Sequence, residues 1–109
     1  LVVGADGQEF FNVAGSPAMA TAGSGDVLAG ILGAFLASAG SQSPAAIAAG
    51  CVMFHARVGE ALEARFGLRA ATAADYGDAM GPVLRGAEAL ASGRGPMARA
   101  AEGPFRGAS

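Results

Sequence analysis

The chain has 109 residues, of which 52% are apolar and 15% charged, with a formal net charge of −2. That length fits one small domain, and the apolar share excludes a disordered chain. Every basic residue is an arginine and none of them cluster, so nucleic acid and an anionic membrane surface are not expected partners. The single cysteine, Cys51, excludes an internal disulfide and a cysteine-rich metal site. The chain opens on Leu1 rather than Met and shows no signal-peptide pattern, so it reads as the interior or end of a longer protein.

Leu1-Val2-Val3 is a short apolar run, followed by the turn signal Asp6-Gly7. Glu9 to Val13, rich in aromatic and β-branched residues, reads as the return strand of a hairpin over 1–13. Residues 14–25 are small and irregular and read as a loop of unusual backbone freedom.

Asp26 opens a helical pattern in which Val27, Leu28, Ile31, Leu32, Phe35 and Leu36 share one face. The opposite face is Ala29, Gly30, Gly33, Ala34 and Ala37, small rather than polar. A helix without a polar face is expected to be buried on all sides, and the rest of this chain is too short to surround it. No charge occurs from Val27 to Phe54, but Ser38 and the run Ser41-Gln42-Ser43-Pro44 split that stretch. Each piece falls short of the roughly 20 residues of a membrane helix, so two buried helices are expected there.

Ser43-Pro44 is a helix start, a cap followed by proline in the first turn. Ile47, Cys51, Phe54, Val58 and Leu62 form an apolar face, whereas Arg57, Glu60, Glu63 and Arg65 line a more exposed one. Gly67 marks the stop. Thr72 and Asp75 resemble a capping box, opening a third helical stretch to about Leu90 that is expected to be interrupted at Gly81-Pro82. Residues 92–109 read as a disordered tail.

The chemistry lies in Ser16-Pro-Ala-Met-Ala-Thr-Ala-Gly23-Ser24-Gly25-Asp26. A glycine-rich turn runs straight into a helix, whose first N–H groups lack partners and whose dipole favours an anion. Asp26 at that mouth would repel a phosphate unless it works as a general base toward an attacking hydroxyl. The competing reading is plain helix capping, at which aspartate excels. The apolar helix behind the turn and the lack of bulky packing residues before it favour an anion site.

The same residues carry a resemblance. Thr21 to Leu36 resembles the anion-hole signature of the ribokinase-like superfamily. More narrowly, Gly15 to Gly30 is similar to the NAD(P)H-hydrate dehydratases. The similarity continues through Pro44, His55, the run from Ala71 to Asp75, and Pro82. It implies the C-terminal part of a ribokinase-like three-layer α/β/α domain over residues 1–91, here an N-terminal hairpin followed by three helical segments. It also implies repair of hydrated NADH or NADPH with ADP or ATP as co-substrate, accompanied by Mg2+. Ser16, Pro17, Ala18, Met19, Ala20, Thr21, Ala22, Gly23, Ser24 and Gly25 would bind the nucleotide, with Gly23, Ser24 and Gly25 as the anion hole. Asp26 would contact the hydrated nicotinamide and deprotonate its hydroxyl. The family more often has Asn where Ser16 stands and Gly where Ala18 stands. Its upstream Lys-Gly loop has no counterpart, since this chain contains no lysine. A homo-oligomer in full-length form and a cytoplasmic location are expected. A ribokinase-like kinase of a sugar or vitamin precursor and a non-catalytic nucleotide-binding module are the alternatives. The Met-Ala-Thr-Ala run before the glycines favours the dehydratase.

Elsewhere the expectations are structural. His55 reads as a packed helix histidine, Cys51 as a buried inert thiol, and Met19 and Met53 as core fillers. Asp75 and Asp78 read as helix-start carboxylates rather than a metal pair.

Overall fold

In the computed structural model residues 1–91 are described; the expected tail at 92–109 lies outside them. The chain begins with a two-stranded antiparallel sheet, β1 (Val2–Val3) and β2 (Glu9–Phe10), in the register Val2–Phe10 and Val3–Glu9. Asp6 closes the turn by accepting from the Gln8 amide at 3.1 Å, and Gly7 takes φ 85°, the left-handed region glycine enters freely. The expected return strand is cut short after Phe10. Phe11 and Val13, at 72% and 90% exposure, pack against nothing that would hold them in a ladder.

A short 3-10 turn at Pro17–Met19 interrupts the loop. Three helices follow: α1 (Ser24–Ala37), α2 (Pro44–Phe66) and α3 (Asp75–Ala91). The helix α1 starts two residues before the expected Asp26, because Gly23 takes φ 86° and serves as the N-cap. The start of α2 follows the sequence reading: the Ser43 hydroxyl accepts from the Ala46 amide with Pro44 in the first turn. Its end does too, at Gly67, whose amide donates to the Glu63 carbonyl at 2.8 Å. At 23 residues α2 is long and apolar enough to cross a membrane by length and composition. Here it is instead the central element, packed by both other helices, the 3-10 turn and β1.

The core is the side of α2 that faces α3: Val58, Leu62, Ala71, Tyr76 and Ala79 are buried together. Val27 of α1 and Phe54 of α2 pack against this core, and Phe35 of α1 meets Phe54 edge-on at 6.4 Å between ring centres. Ile31 is the buried residue of α1, and Phe35 and Leu36 stay more than two-fifths exposed, so the expected burial of α1 on all sides is not met by this chain's own residues. Half of the Thr72–Asp75 capping box forms, with the Asp75 carboxylate accepting from the Thr72 amide and hydroxyl at 2.7 and 2.9 Å. Those bonds, the amide first, hold the Asp75 carboxyl below its ordinary range. The expected interruption at Gly81-Pro82 does not occur, and α3 runs through Pro82. A proline strains the residue before it largely through that residue's Cβ, and Gly81 has none.

Candidate functional site

The loop ahead of α1 is built from its own backbone upward. The Ser16 hydroxyl accepts from the Ala18 amide at 3.0 Å, and the Met19 sulfur accepts from the Ser16 amide at 3.5 Å. These two bonds cap the 3-10 turn reciprocally. Ala20 and Thr21 lead out of it, and the Ser24 amide returns to the Thr21 carbonyl at 3.2 Å. Ala22 is exposed beside it.

Gly23 turns the chain into α1. Its left-handed φ suits glycine, and a Cβ there would sit 3.0 Å from the Ala73 Cβ. Gly25, by contrast, has ordinary helical φ and open space where a side chain would stand. Val27 makes the first i to i−4 bond, to the Gly23 carbonyl at 3.1 Å. Among the described residues nothing accepts from the Gly25 and Asp26 amides. Two unpaired N–H groups therefore lie at the positive end of the helix dipole.

Asp26 is the third residue of α1 and exposed. It does not cap the helix: Gly23 holds that place, and among the described residues no hydrogen bond or ion pair engages the Asp26 carboxylate. The capping explanation for this aspartate thus fails.

Three contacts from α2 hold the loop. The Glu60 carboxylate accepts from the Gly15 amide at 3.0 Å, and Arg57 grips the other carboxylate oxygen at 2.9 Å. The Gly15 bond and then Arg57 hold the Glu60 carboxyl below its ordinary range. Met19 lies against Gly59, where any Cβ would fall on the Met19 Cγ and within 2.8 Å of its sulfur. His55, 5% exposed, donates from Nε2 to the Ser24 carbonyl at 2.9 Å and stacks on Tyr76 at 4.9 Å. Burial pushes the His55 pKa down, opposed in part by the Ser24 bond.

The structure places the expected loop directly ahead of α1, with Asp26 in the first turn of that helix. Sequence reasoning took Glu60 for part of a solvated face, whereas Glu60 anchors the loop. It had no signal for Gly59 or Tyr76, whose roles arise from what they touch across the fold. The Tyr76 hydroxyl is buried with no hydrogen-bond partner among the described residues, and burial pushes its pKa up. Cys51 is buried with its thiol pKa pushed up, as an inert thiol should be. A cleft of about 400 Å³ opens beside the loop, with Pro17, Ala20 and Thr21 on one side and Leu68, Arg69 and Ala71 on the other. Among the described residues no group of three or more His, Cys, Asp or Glu side chains lies together.

Comparisons with known proteins agree on one family. A family profile described as NAD(P)H-hydrate dehydratase matches residues 1–80. The chain is 51% identical over 65 residues to the bifunctional NAD(P)H-hydrate repair enzyme Nnr of Gloeobacter violaceus, covering 60% of this chain and 12% of that protein. It is 45% identical over 83 residues to the enzyme of the same name from Moorella thermoacetica, covering 76% of this chain and 15% of that protein. The chain thus spans 12–15% of the length of these relatives. No solved structure matches it significantly. With the matched profile covering the sheet, the loop, Asp26 and the start of α3, the chain belongs to the NAD(P)H-hydrate dehydratase family.

Proposed function

We propose that residues 1–91 supply the nucleotide loop, anion hole and general base of a ribokinase-like three-layer α/β/α domain. The reaction is dehydration of hydrated NADH or NADPH, driven by ADP or ATP. The observation that carries this reading is the pairing of two unpartnered amides, Gly25 and Asp26, with a carboxylate that has no capping role. Residues 16–25 hold the nucleotide, with the cleft beside Arg69 giving it room and a cation. The glycine turn takes the phosphoryl oxygens, where developing negative charge meets fixed N–H donors. Asp26 accepts the proton of the substrate hydroxyl as its oxygen attacks the phosphorus. The bond from that phosphorus to the nucleotide breaks, releasing AMP from ADP or ADP from ATP. Phosphate then leaves with the hydroxyl oxygen while the adjacent ring carbon loses a proton to water, and the ring double bond returns. The resemblance implies that Mg2+ accompanies the nucleotide, where it would neutralise phosphoryl charge. A homo-oligomer in full-length form is part of the proposal, supported by the apolar side chains exposed at Val3 of β1, at Phe11 and Val13 beyond β2, and at Phe35 and Leu36 of α1.

Asp26→Asn in the full-length protein is the test. The amide is nearly isosteric and cannot take the proton, so turnover should fall about 10²–10⁴-fold with nucleotide affinity kept. Near-normal turnover in that variant would remove the general-base role.

A further inference from the structure

The bond from His55 to the Ser24 carbonyl has a consequence for the other end of the same peptide group. A peptide unit is planar, so the carbonyl of Ser24 and the N–H of Gly25 turn together and point in opposite directions. Whatever holds one sets the aim of the other. The Ser24 carbonyl lies in the first turn of the α1 ladder, and His55 Nε2, from α2 and 31 residues away in sequence, adds a second donor to it at 2.9 Å. The Gly25 amide at the opposite edge has no acceptor among the described residues. The histidine is itself fixed, 5% exposed and stacked on the fully buried Tyr76 with 18° between the ring planes. Hydrogen bonds in series also polarise one another, so a donor on the carbonyl makes the N–H on the far side a stronger donor.

We propose that His55 is a positioning residue for the anion hole: by holding the Ser24 carbonyl it aims and strengthens the Gly25 amide toward a phosphoryl oxygen. This rests on the reading of the glycine turn as that anion hole. It assigns the buried histidine a part in catalysis without contact to substrate. Its ring donates to backbone, and Tyr76 keeps the ring in the plane that the bond requires.

Two substitutions separate the hydrogen bond from the stacking. His55→Phe keeps an aromatic ring against Tyr76 and loses the donor. His55→Gln keeps an N–H near the Nε2 position and loses the ring. In the full-length protein, with 15N-labelled glycine, His55→Phe should move the Gly25 amide proton upfield and lower kcat about ten- to hundredfold, less than removal of a whole anion-hole donor. The KM for hydrated NADPH should hold. His55→Gln should melt at a lower temperature yet keep the Gly25 shift and most of kcat. His55→Met serves as the donor-free variant if the phenylalanine variant does not fold. The opposite ranking, with turnover following stacking rather than the donor, would overturn the proposal, as would a Gly25 amide that does not move when the donor is lost. That amide signal needs no turnover, whereas Asp26→Asn is read by turnover alone, so failure of this inference and failure of the functional reading are told apart.

Discussion

Gly23 and Gly25 look alike in the sequence, flanking one serine, yet they carry different demands. Gly23 needs its conformation: φ is 86°, and a β-carbon would press on Ala73 at 3.0 Å. Gly23→Ala should therefore lower stability by about 1–2 kcal/mol, the cost of a left-handed non-glycine residue. Gly25 needs its emptiness: its backbone is ordinary helix, and beyond its chain neighbours and its own helix's backbone no atom of the described residues lies within 4 Å of where a β-carbon would stand. Gly25→Ala should leave the melting temperature unchanged or slightly raised, since alanine is the better helix former, while raising the KM for nucleotide. Melting curves and nucleotide titrations of the two full-length variants check both signs. The motif was legible because glycine, glycine and aspartate at that spacing mean a tight turn into a helix. Which glycine bends the chain was not legible, since that depends on where Ser24 starts the helix and on Ala73 across the fold.

Among the elements, α2 does most to shape the loop, holding it through Glu60, Gly59 and His55. The Glu60 contact is charge-dependent. Its carboxyl pKa is lowered by the Gly15 amide and Arg57, so the contact is complete above the ordinary glutamate value near 4.5 and is lost as pH falls through the lower folded value. The Gly15 amide signal should therefore titrate with a midpoint below 4.5 and stop titrating in Glu60→Ala. A Gly15 amide indifferent to pH in the unsubstituted protein would show that the contact does not form in solution. Gly59→Ala should act on the same loop from below, displacing Met19 and raising the KM for nucleotide with little change in kcat. The boundaries of α2 were readable from Ser43-Pro44 and Gly67, because caps are local chemistry. The course of α3 through Pro82 was not, because a proline signal is read as a break unless the relief offered by Gly81 is weighed with it. Glu60 was misread for a related reason: Glu60 and Glu63 lie close together on α2, and only the returning loop distinguishes them.

Across the whole described chain the apolar surface is uneven. One side of α2 is covered by α3 and closes a small core around Tyr76, Leu62 and Val58. On the other side Leu1, Val3, Phe11 and Val13 are 59–90% exposed, and Phe35 and Leu36 of α1 are over 40% exposed. The absence of a polar face on α1 was visible in the sequence, and the structure shows how much of it two further helices and a two-residue ladder leave uncovered. Apolar surface of that extent drives association in water. The proposed anion hole lies at the N-terminus of α1, a helix whose buried residue is Ile31, so the rigidity of that site depends on what covers the helix. Positioning within a fraction of an ångström is what converts bound groups into reacting ones. The 109-residue chain taken alone should thus self-associate, melt over a broad range and fail to dehydrate hydrated NADPH, even with the glycine turn formed. Size-exclusion chromatography, circular dichroism melting and a dehydration assay with ADP and ATP measure these three. A monomeric chain that melts cooperatively and turns over substrate would mean that α1 needs no further cover and that the catalytic geometry is complete within its own helices.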